Sequence, residues 1–229
     1  MTVLRKTLAD QVREVLKRRI LMSELHRGDR VDVEKLANEL DVSPSPVKDA
    51  LRQLAIEGLV EIKPRSGTLI RSFDRRDVID IYGCRRMIEP AAAASVAASG
   101  AGPALADTLN ATIDILRNAS EGEKFIRPFE VSEADATFHR AIIEAAGNRV
   151  LAELHTMLID RALVVRSYAS SGLRALETID EHLAILGALV RADPDDAATA
   201  SRRHLDQAEA FVLETMDDEN PKTFKEDAP

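Results

Sequence analysis

Asp135 and His139 stand four residues apart in a stretch whose apolar residues Val131, Phe138, Ile142 and Ala146 repeat with the period of a helix. Residues so spaced stack on one face, so the carboxylate and the imidazole share the side of the apolar stripe. His182 falls within the stripe Ile179, Leu186 and Leu189, and His204 within Ser201, Ala208 and Phe211. Three of the five histidines and one aspartate thus occupy positions that a helical fold should bury. A buried carboxylate without a partner is costly. One solution is a separate hydrogen bond for each group. The other is a divalent metal ion shared by all four, because neutral imidazole nitrogen and carboxylate oxygen are ordinary ligands of Zn foremost, and of Ni, Mn or Fe. Spacing alone leaves both open.

Arg85 is a further inward charge, lying in the stripe Val78, Ile81, Ile88, Ala92 and Val96. Its planar fork of donors suits a carboxylate ligand, and the alternative is an intrahelical pair with Glu89. His155, with Leu151, Leu154 and Leu158 close in sequence, reads as structural, Cys84 as a buried small hydrophobe, and His26 as a solvated turn residue. The elements that must position these groups are helices near 75–99, 103–119, 129–146, 149–170, 175–192 and 194–217. Breaks are expected at Gly100–Pro103, Ser120–Gly122, Arg127–Pro128, Gly147–Asn148, Ser170–Gly172 and Asp193–Pro194. Residues 218–229 are polar and read as a flexible tail.

The front of the chain carries a different chemistry. Thr7 is placed to cap a helix with the stripe Leu8, Val12, Val15, Leu16 and Ile20. Val33, Leu36, Ala37 and Leu40 mark a short second helix, and Val47, Ala50, Leu51 and Leu54 a third, separated by only Asp41–Ser43. Ser43 is an N-cap candidate, Pro44 suits the first helical position, and Gly58 suits a left-handed cap. Leu59–Ile62 and Thr68–Ile70 read as two strands joined by a turn at Lys63–Gly67. Helix, tight turn, helix and β-hairpin describe a winged helix-turn-helix, whose second motif helix enters a DNA major groove.

From Leu36 to Leu59 the sequence resembles the DNA-binding domain of the GntR family of bacterial regulators. The family pattern Leu-Ala-x-x-Leu-x-Val-Ser-x-(Thr/Ser)-Pro-Val-(Arg/Lys)-(Glu/Asp)-Ala-Leu, followed by Gly-Leu, is met almost without a gap. The resemblance covers residues 8–72. In that family the third helix begins Ser-Arg-(Thr/Ser)-Pro and the arginine reads guanine; here Pro44 replaces it and has no donor. The resemblance therefore implies contact to double-stranded operator DNA through Ser43, Ser45, Lys48 and Arg52, with Arg65 and Gly67 in the wing, and a shifted operator preference. Residues 75–217 resemble the FCD effector domain of FadR-like members. Its Asp-x-x-x-His, Gly-Asn corner and two later lone histidines are met by Asp135, His139, Asn148, His182 and His204. This resemblance implies a metal held by Asp135, His139, His182 and His204, and a small carboxylate effector met by Arg85 and Asn148. Asn148 has the alternative of capping the next helix. Arg161 and Arg166 are further candidates to line the cavity.

The predicted fold class is mainly α: a winged helix-turn-helix of three helices plus a small β-hairpin over 1–72, a linker over 73–76, and an all-α antiparallel bundle of the FCD type over 77–217. Residues 1–72 hold 14 Lys and Arg against 11 Asp and Glu, and the remaining 157 hold 17 against 28, as expected of a DNA-binding head on an acidic body. One cysteine, no signal-peptide core at Met1–Lys6 and no apolar run near the roughly 20 residues of a membrane span favour the cytoplasm. The function expected is a homodimeric, effector-responsive transcription regulator, more specifically a repressor. Its rivals are a metal-dependent hydrolase built on the Asp/His3 site and a regulator that senses the metal itself.

Overall fold

Local capping chemistry decides where most of the helices start. In the computed structural model, which describes residues 6–65, 67–167 and 174–216, Thr7 and Asp10 form a reciprocal capping box at the head of α1 (Leu8–Leu21). Asp32 caps α2 (Val33–Glu39) by accepting from Lys35 N. At α3 (Pro44–Glu57) Ser43 occupies the N-cap position but its hydroxyl accepts nothing. Of the two amides an N-cap oxygen ordinarily meets, that of the third helical residue is missing because it is Pro46, and that of Ser45, the second, is not bonded to the hydroxyl. Gly58, at φ +79°, ends α3 in the left-handed cap.

The wing is an antiparallel hairpin of β1 (Val60–Lys63) and β2 (Gly67–Ile70), in register Val60↔Ile70 to Lys63↔Gly67. Arg30 adds a bridge to Leu69. Gly67, at φ +87°, lies so close to the Arg30 guanidinium that a Cβ there would stand 3.1 Å from Nε. The core of this unit is Leu16, Ile20, Leu36, Val47, Leu51, Leu54 and Leu59. The chain divides into this unit, ending at Phe73, and a second unit over Asp74–Met216.

The second unit begins inside the segment expected to be a linker. Asp74 and Asp77 form a capping box that starts α4 at Arg75 (Arg75–Ser99). The unit continues with α5 (Gly102–Asn118), α6 (Pro128–Ala145), α7 (Arg149–Arg166), α8 (Ala175–Val190) and α9 (Pro194–Thr215). Helix α4 packs against α9, α6 and α7, while α5 lies against α6 and α8. Leu109, Ile113, Leu116, Phe138 and Ile185 are fully buried between them, each stabilising the fold by roughly 1.5–3 kcal/mol. Not everything after Asp77 is helical: β3 (Ser120–Glu121) and β4 (Lys124–Phe125) form a small hairpin around Gly122 at φ +59°. The break expected at Ser170–Gly172 lies outside the described residues, as does the tail over 218–229. No described helix is long and apolar enough to cross a membrane.

Two glycines of this unit have opposite roles. Gly102 opens α5 against the end of α8, where an added Cβ would stand 2.0 Å from the Leu189 carbonyl oxygen. Gly83, inside α4, has nothing within 4 Å of such an atom. Gly83→Ala should therefore raise stability by about 0.5–1 kcal/mol, because the helix gains propensity and meets no neighbour. Thermal unfolding checks this, and a destabilised variant would contradict it.

Candidate functional site

Three helices deliver the cluster. Asp135 and His139 stand one turn apart on α6, His182 lies mid-way along α8 and His204 mid-way along α9. All four are buried, and one donor atom from each lies within 4.8 Å of the others. The sequence-predicted metal set is thus gathered in one place. The Phe138 ring stacks on His182 at 4.1 Å with a 5° interplanar angle, which fixes that imidazole's plane.

The surroundings orient the rings. His139 Nδ1 lies 2.8 Å from Glu89 Oε2, and His204 Nδ1 lies 2.8 Å from Glu181 Oε2. Each ring therefore turns its other nitrogen inward, the arrangement in which a carboxylate behind an imidazole fixes its tautomer. His139 Nε2 and both nitrogens of His182 have no hydrogen-bond partner although fully buried. Asp135 Oδ1 lies 2.7 Å from Arg166 Nη1 without an aligned hydrogen bond. Orphaned donors of this kind are what a shared cation would satisfy, and the residues fit a divalent ion.

Electrostatics agree with that chemistry. Burial would raise the Asp135 carboxyl, but Arg166 and the imidazoles outweigh it and hold the group well below the usual carboxylate range. Burial, then the neighbouring imidazoles, push His182 and His204 well below their ordinary range, leaving neutral nitrogens. Glu181 behaves differently: burial raises it to about 7 against the pull of Arg174.

Arg85 is buried, with Nε 2.6 Å from Glu89 Oε1 and Nη2 3.3 Å from Oε2, and its guanidinium lies over the Tyr82 ring. The intrahelical pair exists, but in the core rather than at the surface. Asn148 is exposed at the head of α7, where Oδ1 accepts from Leu151 N at 3.1 Å. Cys84 is exposed, contrary to expectation, because it lies outside the inward arc of α4. His155 is buried with Nε2 3.1 Å from Glu89 Oε1, consistent with a structural histidine. Ser43, Ser45, Lys48 and Arg52 are exposed, running from the N-cap to the middle of α3, Arg52 pairing with Asp49. Arg65 is exposed at the wing tip with φ +67°, and Gly67 follows at the start of β2.

Sequence reasoning missed Glu89 as a member of the site. One carboxylate touches Arg85, His139 and His155 from three directions. The signal was available, since Glu89 lies four residues from both Arg85 and Ala93 and seven from Val96, all on the inward face. Glu181 was missed for the opposite reason: it precedes His182 at the edge of the buried arc, and only the crossing of α8 with α9 brings it to His204.

Comparison with known proteins agrees with this architecture. Residues 8–70 match the gntR family of bacterial regulatory proteins, and residues 80–207 match the FCD domain. The "Probable D-xylose utilization operon transcriptional repressor" of Paenarthrobacter nicotinovorans is 29% identical over 201 residues, covering 88% of this chain and 87% of that protein. The HTH-type transcriptional repressor NanR of Enterobacter sp. (strain 638) is 27% identical, covering 90% and 85% respectively. The solved structure of E. coli McbR/YncC shares the fold, with a TM-score of 0.78 at 22% identity over 91% of this chain and 98% of that one. With the head and more than half of the chain so matched, the protein belongs to the GntR family and is a DNA-binding transcription regulator carrying an FCD domain, not an enzyme.

Proposed function

We propose that this regulator represses transcription as a homodimer, and that its helical unit holds a divalent ion and responds to a small organic acid. The observation that carries the metal half is the buried quartet Asp135, His139, His182 and His204, with imidazole nitrogens that lack any other partner. Zinc suits two or three imidazoles plus a carboxylate, and Ni, Mn or Fe are accommodated by the same donors. When bound, such an ion supplies positive charge and open coordination positions that favour a carboxylate. Repression is supported by the related proteins, which are named as repressors.

The chain's own residues then divide the work. Glu89 and Glu181 hold two of the imidazoles in place, and Phe138 holds the third. The acid acts only through its different affinity for the DNA-competent and DNA-incompetent arrangements of the dimer. On the DNA side, two heads address two half-sites of a near-palindromic operator. Base reading moves from the family's arginine position to Ser45, while Lys48 and Arg52 hold phosphates and Ser43, Arg65 and Gly67 stay close to the backbone or the minor groove.

The deciding experiment compares operator binding by protein as purified, after chelation, and after refilling with Zn, each with and without a panel of organic acids. An acid that changes DNA affinity only in the refilled protein is the expected result. Metal alone changing it would make the ion the signal, and no effect of either would refute the sensing role. Lys48→Ala should weaken binding across operator sequences and make log Kd less steep in log salt by about one, as loss of one phosphate contact requires. An unchanged salt slope would place Lys48 on bases instead.

A further inference from the structure

Two arginines stand beside the quartet, and their engagement differs. Arg85 is buried with its fork closed on Glu89, whose oxygens also meet His139 Nδ1 at 2.8 Å and His155 Nε2 at 3.1 Å. Drawing Arg85 away toward a ligand would leave Glu89 as a buried anion without its cation, a strongly unfavourable state. Arg85 is therefore a strut of the site's wall.

Arg166 is held differently. It is the last residue of α7, its side chain is 23% exposed, and among the described residues it pairs with Asp135, at 2.7 Å and without hydrogen-bond alignment. Asp135 is also the carboxylate of the quartet. The oxygen that meets Arg166, Oδ1, is also the one that faces His182 Nε2 at 3.6 Å, so an ion held by the quartet competes with the guanidinium for it. Once the oxygen is committed to an ion, the fork of Arg166 needs another planar anion, and its position at the edge of the buried region allows one to arrive.

We propose that Arg166 is the carboxylate-binding residue of the sensor: in the metal-loaded protein its guanidinium exchanges Asp135 for the carboxylate of an incoming small organic acid. This rests on the metal-site reading above and deepens it. Because the fork matches two free oxygens, the acid binds and its amide does not. Asn148, exposed and engaged in capping α7, plays no part in this recognition.

The test uses the full chain loaded with Co2+, whose visible absorption reports the coordination sphere, titrated with succinate and with succinamide. Wild type should respond to succinate and not to succinamide. Arg166→Gln should keep its Co2+ spectrum yet lose at least about tenfold in succinate affinity, the loss of a charge-assisted pair. Arg166→Lys, which keeps the charge without the fork, should fall between. Unchanged succinate affinity in Arg166→Gln overturns the proposal. So does loss of Co2+ binding by that variant, which would make Arg166 a support for Asp135 alone. Wild type that takes up Co2+ but ignores succinate overturns this inference only, whereas wild type that takes up no Co2+ refutes the metal-site reading and this one with it.

Discussion

Zinc affinity in Asp135→Asn should fall by at least about 100-fold, because loss of the only anionic member of the quartet exceeds the roughly 10–100-fold cost of removing an outer-sphere partner. The carboxylate is the one member that brings formal charge to a buried ion, and an amide oxygen is a much poorer ligand. At a free zinc concentration about 1,000 times the wild-type Kd, binding adds about 4 kcal/mol to the stability of the apo protein, and a variant bound a hundredfold more weakly retains about 1.4 kcal/mol. Differential thermal unfolding with and without zinc therefore separates them. The substitution also leaves Arg166 without its ion pair, so the apo variant should itself be less stable. For that reason the quantity to compare is the zinc-induced gain, not the absolute Tm. An undiminished gain would remove Asp135 from the site.

Gly102→Ala is the second large effect, and it concerns packing. The new methyl would meet the Leu189 carbonyl oxygen at 2.0 Å and its carbon at 2.4 Å. These are backbone atoms at the end of α8, so no side-chain rotation relieves the clash, and α5 and α8 must separate. Overpacking of this kind costs about 3 kcal/mol or more, which for a unit of this size lowers Tm by roughly 6–12 °C. The loss should be confined to the unfolding transition of the helical unit. A variant within experimental error of wild type would mean that the two helix ends are looser than their geometry indicates.

What the sequence disclosed, and what it withheld, follows from the reach of periodicity. The 3.6-residue stripe assigns a residue to an inward face, and by that criterion Asp135, His139, His182, His204 and Arg85 were all correctly placed in the core. It says nothing of which inward residues from different helices meet. The pairs Glu89–His139 and Glu181–His204 each join two helices, so neither is visible along one chain segment. The β3–β4 hairpin escaped because strands of two residues have no alternation to detect. At α3 the N-cap position was correctly read as Ser43, but the bond expected of its hydroxyl is absent, and Pro46 removes one of the two amides it could have met. The resemblance to a known family identified the domain pair, while the pairing of Arg166 with Asp135 needed coordinates.

The double-proline start of α3 has a spectroscopic consequence. Of its first three residues, Pro44, Ser45 and Pro46, Ser45 alone carries a backbone proton that can exchange with deuterium. The tip of α3 is therefore almost silent to amide exchange, and slowing of that lone proton by bound duplex would report contact there free of overlap from its neighbours.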